Sequence, residues 1–233
     1  MMKASELVTE VQRIVYKSDY SGDADYGQNE ILALLNEGQK DISGGSDRQH
    51  GNARLAPLPD LLTSSTVTLT TSSVAMPATF QRGLLRVVID GEKLKKYDSL
   101  QKLLDKYEGE TGEPEGYCLK GRTLWILPAP PSSKTVTLYF HRFPTAMVIT
   151  TSPAADTSPD GIPDHLQKRL LVNYVCREIY AEIEGGMDMA HPEQEKHNDL
   201  LQMALNDLDR LIGPEEGEAT NVGDDYLTDD NIL

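Results

Sequence analysis

Apolar residues recur at helical spacing near both ends of the chain and at strand spacing between them. Leu7, Val11, Ile14 and Val15 fall on one face of residues 4–17, and Ser5 sits where a cap would, so a first helix is predicted there. Ile31, Leu34, Leu35, Gly38 and Ile42 mark a second, closed by Gly44-Gly45. Beyond Ser46 the period falls toward two. Val67 and Leu69 alternate with threonines in Thr63 to Ser73, Leu84 to Ile89 reads as an apolar strand, and the turn pair Asp90-Gly91 leads into Lys93 to Tyr97 as the second arm of a hairpin. Leu100, Leu103, Leu104 and Tyr107 predict a short helix within Asp98 to Tyr107. Three strands follow, Tyr117 to Leu119, Thr123 to Leu127 and Thr135 to Phe140, with Pro128, Pro130 and Pro131 in a connection because proline cannot donate to a ladder. Residues 144–162 read as a connector with little to bury. A third helix, from Pro163 to about Glu184, carries Leu166, Leu170, Leu171, Tyr174, Val175, Ile179 and Ile183. The fourth, 193–212, carries Leu200, Leu201, Ala204, Leu205, Leu208, Leu211 and Ile212 before Gly213-Pro214 stops it.

This order predicts an α+β chain, a helical bundle formed by N- and C-terminal helices with an inserted β-rich module and an extended acidic C-terminal tail. The expected segments are a helical pair over 1–45, the β-rich module with its short helix over 46–150, a connector and helical hairpin completing the bundle over 151–213, and the tail over 214–233. At 233 residues and 39% hydrophobic, the chain can build a core. No apolar run approaches the ~20 residues of a bilayer span. The start, Met1 to Glu6, lacks the apolar core and cleavage site of a secretion signal, which predicts a cytosolic chain with no membrane partner.

Charge changes the picture more than composition does. The net charge is -15, yet residues 1–45 hold 4 basic and 8 acidic side chains, 46–162 hold 13 and 12, 163–213 hold 5 and 10, and 214–233 hold none and 7. Acid lies at the two ends. A nucleic-acid binder needs cations to displace phosphate counterions, so DNA affinity is not the main task, whereas a surface that DNA passes without sticking is compatible. Arg82, Arg86, Lys93, Lys95 and Lys96 form the one concentrated basic stretch, a candidate docking patch for an acidic neighbour or a phosphate backbone, or a strand face whose lysines discourage edge pairing. In the tail, Tyr226, Leu227, Ile232 and Leu233 are apolar anchors among seven acids and mark a candidate segment for binding a partner protein or a neighbouring subunit.

Chemistry is nearly absent from the pattern. Asp19, Asp23 and Asp25 with Gly22 and Gly27 imitate a calcium loop, but an EF-hand would need Gly at Gln28 and Glu at Leu34. They read better as turn and cap residues. His191 and His197 lie on different helix faces, and only Glu193 stands at i,i+4 to His197, short of a zinc ligand set; His50, His141 and His165 are in unrelated segments. Gly44-Gly45-Ser46-Asp47 lacks the second glycine of a nucleophile elbow, and no phosphate-binding glycine motif occurs. Cys118 and Cys176 are solitary and read as buried thiols, and Trp125 reads as packing rather than stacking. No catalytic, cofactor or metal residue is predicted.

Three stretches in order, Gly112-Glu113-Pro114-Glu115-Gly116-Tyr117, Gly121-Arg122-Thr123-Leu124-Trp125-Ile126-Leu127-Pro128-Ala129-Pro130 and Thr137-Leu138-Tyr139-Phe140-His141-Arg142-Phe143-Pro144, are followed by the helix start Gly161-Ile162-Pro163-Asp164. The sequence thereby resembles the head-to-tail adaptor (connector) proteins of tailed double-stranded DNA phages, over roughly residues 112–212 plus the two N-terminal helices. The resemblance implies a non-enzymatic virion neck component made in the host cytoplasm. It implies a homo-oligomeric ring, commonly of twelve copies, bound to the portal protein, giving DNA transient non-specific passage and offering a surface to a tail or nozzle protein. The alternatives are a tail-completion or scaffold protein outside that ring, and a metal-dependent virion hydrolase using Asp23, Asp25 and His197.

Overall fold

The computed structural model describes residues 1–15, 26–44, 57–183 and 192–213. It is a mixture of helix and sheet, in keeping with the α+β class, and it divides into two compact units: Met1–Pro57 with Thr145–Leu233, and Leu58–Pro144.

The first unit is helical. Helix α1 (Ala4–Val15) buries Ala4, Leu7, Val8, Val11 and Val15. The helix starts at residue 4 as expected, but its cap position is Lys3, two residues before Ser5. The Lys3 amide donates to the Glu6 carboxylate at 2.7 Å, half of a capping box, while the Ser5 hydroxyl is used on Asp156 instead. Helix α2 (Gln28–Gly44) buries Ile31, Leu35, Gly38 and Ile42. The third predicted helix forms as α4 (Asp164–Gln167), a π-turn (Lys168–Val172) and α5 (Asn173–Ile183). A π-turn adds a residue to the turn and frees a carbonyl. Here the Asn173 side-chain amide donates to the Arg169 carbonyl at 2.6 Å, and Leu170, Leu171, Val172, Tyr174, Val175 and Cys176 are all buried, a broader set than one helical stripe provides. Helix α6 (Pro192–Ile212) buries His197, Leu201, Ala204 and Leu208. Helix α5 packs against α1, α2 and α6.

The connector corrects the expectation that it buries little. Met147, Asp156 and Ile162 are buried. Its backbone is satisfied by side chains of α2: Asn36 accepts from the Met147 amide at 2.6 Å and donates to the Met147 carbonyl at 3.1 Å, while Gln39 donates to Thr145 O and accepts from the Asp160 amide. Two amides three positions apart on one helix thus do what a neighbouring strand would do for an extended chain.

The second unit is a sandwich of two four-stranded sheets. Its strands are β1 (Leu62–Leu69), β2 (Ser73–Ala75), β3 (Phe80–Ile89), β4 (Glu92–Lys93), β5 (Lys95–Lys96), β6 (Gly116–Lys120), β7 (Thr123–Leu127) and β8 (Lys134–Arg142). The first sheet runs β1-β8-β3-β4 and the second β2-β7-β6-β5. Leu69, Phe80, Val87, Ile89, Val136, Leu138 and Phe140 of the first face Tyr117, Leu124 and Ile126 of the second across one core. Helix α3 (Leu100–Tyr107), capped by the Ser99 hydroxyl on the Lys102 amide, covers the other side of the second sheet through Leu103 and Tyr107 against Cys118 and Leu127, with Trp125 packed beside them. Asp90 and Gly91 both adopt positive φ (52° and 89°), as the tight turn requires.

The predicted hairpin continues only briefly past that turn. Glu92 and Lys93 pair back onto β3 and the Leu94 amide still donates to the Val87 carbonyl at 3.0 Å, but Leu94 is buried in the sandwich core, and the chain crosses there so that Lys95 and Lys96 pair in parallel with Gly116 and Tyr117 of the second sheet. Thr63 to Ser73 likewise splits into β1 and β2, one strand in each sheet.

Candidate interaction surface

The crossover at Leu94 divides the predicted basic patch. Along β3 and β8, residues two apart share a face, and Val87, Ile89, Val136, Leu138 and Phe140 point into the core, so Arg86, Val88, Thr135, Thr137 and Tyr139 occupy the opposite face of the first sheet. The register pairs Arg86 with Tyr139, Arg82 with His141 and Lys93 with Val88. Arg82, Arg86 and Lys93 therefore share this outer face, whereas Lys95 and Lys96 belong to β5 in the other sheet. A bulge between Arg82 and Arg86 lets both arginines keep that side: Gly83 takes positive φ (64°), Leu84 turns into the core and Leu85 is left 44% exposed. The Arg86 guanidinium lies 4.6 Å over the Tyr139 ring. On β1 the same face carries Ser64, Thr66 and Thr68, all exposed and uncharged.

Several residues that position this surface escaped the sequence reading. Arg122 donates to the carbonyls of Phe80 (3.1 Å), Pro77 (2.8 Å) and Ala78 (3.3 Å), holding the turn into β3; a lone arginine after a turn glycine carries no signal of that role. Lys134 bridges Asp90 at 2.8 Å and Glu113 at 3.1 Å, which raises its pKa and removes it from the free cations of the sheet.

The described side chains offer little activated chemistry. Cys118 sits in an open cleft lined by Asp98, Ser99, Leu104 and Lys120, but burial first, and Asp98 second, push its thiol up, away from thiolate. Burial pushes the Cys176 thiol up to about 12. Among the described residues no group of three His, Cys, Asp or Glu side chains is placed to hold a metal ion, and no helix is long and apolar enough to cross a membrane. Asp19, Asp23, Asp25, His50, His191 and the tail anchors Tyr226, Leu227, Ile232 and Leu233 lie outside the described residues.

His197, the remaining member of the conceivable metal set, has a structural setting. Asn173 donates through its amide nitrogen to Arg169, so its oxygen is the acceptor for the His197 Nδ1–H at 2.8 Å, and the ring stacks on Tyr180. Nε2 is buried and 3.9 Å from Glu193. Burial lowers the His197 pKa, Lys196 adds to the effect and Glu193 opposes it. A histidine kept neutral in the fold takes up a proton more readily when unfolded, so stability falls as pH drops below about 6.5. Urea unfolding should show that loss between pH 7 and pH 5, and His197→Gln should flatten it; an equal slope in the variant would assign the loss elsewhere. The carboxyl of Glu10, held down to about 2 by Arg13 and Lys168, contributes a separate loss only below its ordinary range near pH 4.5.

A model of the SU10 adaptor protein family matches residues 2–222, which takes in every described element of both units. The chain belongs to the SU10 adaptor protein family. Membership agrees with the resemblance to phage head-to-tail adaptors carried by the order of the strand and turn motifs. A search of curated proteins finds no match. In an SU10 adaptor the exposed basic sheet face and the acidic helical unit are the features to weigh, because an adaptor acts through the surfaces it presents.

Proposed function

We propose that this chain is a structural head-to-tail adaptor of a tailed phage, a ring of twelve copies beneath the portal that extends the DNA channel and presents the tail attachment surface. The family match over residues 2–222 carries the reading. Its helices act as one bundle, and the chain works in the virion neck after assembly in the host cytoplasm, with portal and a tail or nozzle protein as partners. A net charge of -15 supports a wall that DNA slides past, since phosphate contacts need cations. The same charge makes free copies repel, so the chain is monomeric or weakly associated until a complementary surface aligns it. No reaction is assigned to it, and its metal and cofactor needs are none.

Incubating purified protein with isolated portal rings, followed by imaging, tests the reading. Ring-shaped density capping the portal is expected. Removal of residues 214–233, with Tyr226, Leu227, Ile232 and Leu233, should leave thermal unfolding nearly unchanged while weakening attachment, and added salt should weaken the intact complex. A protein that ignores portal and binds only finished tails would instead be a completion factor outside the ring.

A further inference from the structure

Charge is segregated between the two units of the chain. Leu58–Pro144 carries 11 basic and 9 acidic residues, net +2, whereas the remainder carries 11 and 28, net -17, with 7 of those acids in residues 214–233. The positive unit also displays its charge in an organised way. Arg86 and Lys93 are exposed on the outer face of the first sheet, and among the described residues neither has a carboxylate partner. Stacking on Tyr139 holds the Arg86 guanidinium flat, which leaves its N–H edge in a fixed fork suited to a carboxylate. Beside it Leu85 stands exposed on the bulge.

Cations next to an exposed apolar side chain suit a peptide that mixes carboxylates with apolar anchors. The C-terminal segment has that chemistry: seven acids, no lysine or arginine, and Tyr226, Leu227, Ile232 and Leu233. Twenty residues span at most roughly 70 Å when extended, ample to cross between neighbours. We propose that the outer face of the first sheet, through Arg86, Lys93 and Leu85, receives the C-terminal segment 214–233 of a second copy. This rests on the adaptor reading and deepens it, because a contact in which each copy offers one half and accepts the other is heterologous and propagates around a ring. Both halves lie in one polypeptide, so they are always present in equal number.

Two measurements test it. A labelled peptide of residues 214–233 is titrated against the chain truncated after Gly213. Saturable binding is expected, weakened about tenfold or more by the double variant Arg86→Glu with Lys93→Glu, weakened by salt, and untouched by Lys102→Glu on α3. Unfolding curves for the variants should overlay that of the parent. Next, the truncated chain, which keeps only the patch, is mixed with the full-length double variant, which keeps only the segment. Light scattering should find one-to-one complexes in the mixture and monomers in each sample alone. Absent peptide binding, or binding indifferent to the double variant, overturns the proposal. A mixture that stays monomeric despite peptide binding shows that the segment, attached to its own chain, does not reach the sheet face of another copy, and overturns the second-copy assignment. In either case the adaptor reading stands if full-length protein still caps portal rings, and it fails if the protein does not, whatever the peptide does.

Discussion

Val175→Asp should abolish folding of the helical unit. Val175 is 0% exposed, as are Leu171 and Ile179 on the same helix, and α5 packs against α1, α2 and α6, so a side chain there has no route to water. A carboxylate without a partner in such a place costs several kcal/mol whether it stays charged or takes a proton, a large share of the roughly 5–15 kcal/mol that a domain has in total. Val175→Ala, which removes two methyl groups and leaves a small cavity, should cost only about 2 kcal/mol. Circular dichroism during urea unfolding, with solubility after expression, separates the two. An Asp variant that melts with the parent would mean that α5 is not the centre of the unit.

The second large effect is expected at Gly38, where two rules oppose each other. Glycine inside a helix is about 1 kcal/mol worse than alanine, so Gly38→Ala should stabilise α2 if backbone preference decided the matter. It should destabilise instead. A Cβ at position 38 would lie 2.7 Å from Cδ1 and 2.9 Å from Cγ of Tyr174. That ring cannot easily yield: its hydroxyl donates to Asp41 at 2.8 Å, and the Arg177 guanidinium sits 4.9 Å from its centroid. Forced repacking of this kind costs about 1–3 kcal/mol, and more is expected for Gly38→Val. A double-mutant cycle identifies the cause, since Tyr174→Leu should make the added methyl group nearly neutral. Equal penalties in both backgrounds would point away from the ring.

Much of the fold was legible because local chemistry and tertiary demand agreed. Asp90-Gly91 turned as two positive-φ residues should, the apolar spacing of Leu100, Leu103, Leu104 and Tyr107 formed α3, and the strand expected over Thr123 to Leu127 formed, its alternation sorting the sandwich core from the side that α3 covers. Legibility failed where a partner distant in sequence decided the outcome. Nothing near Leu94 announces a change of sheet, because the cause is a core position waiting for it and the Gly116 strand beside it. The connector looked too polar to be held, since its satisfaction comes from Asn36 and Gln39 more than 100 residues earlier. The basic stretch was visible as composition, but its sorting into Arg82, Arg86 and Lys93 on one sheet and Lys95 and Lys96 on the other depends on register, which composition does not encode.

The pairing of β1 with β8 has an architectural consequence. Leu62 lies opposite His141, so the strand that begins the sandwich and the strand that ends it run side by side, and the inserted unit enters and leaves through neighbouring points about 5 Å apart. Such an insertion behaves as a cassette. Its loops can lengthen and its outer faces can change without levering apart the segments that hold it, which is the condition under which inserted domains are tolerated. A lineage could thus remodel the sandwich against a changing partner while the helices around Val175 and Gly38 keep their packing, so that recognition and scaffold drift at different speeds within one polypeptide.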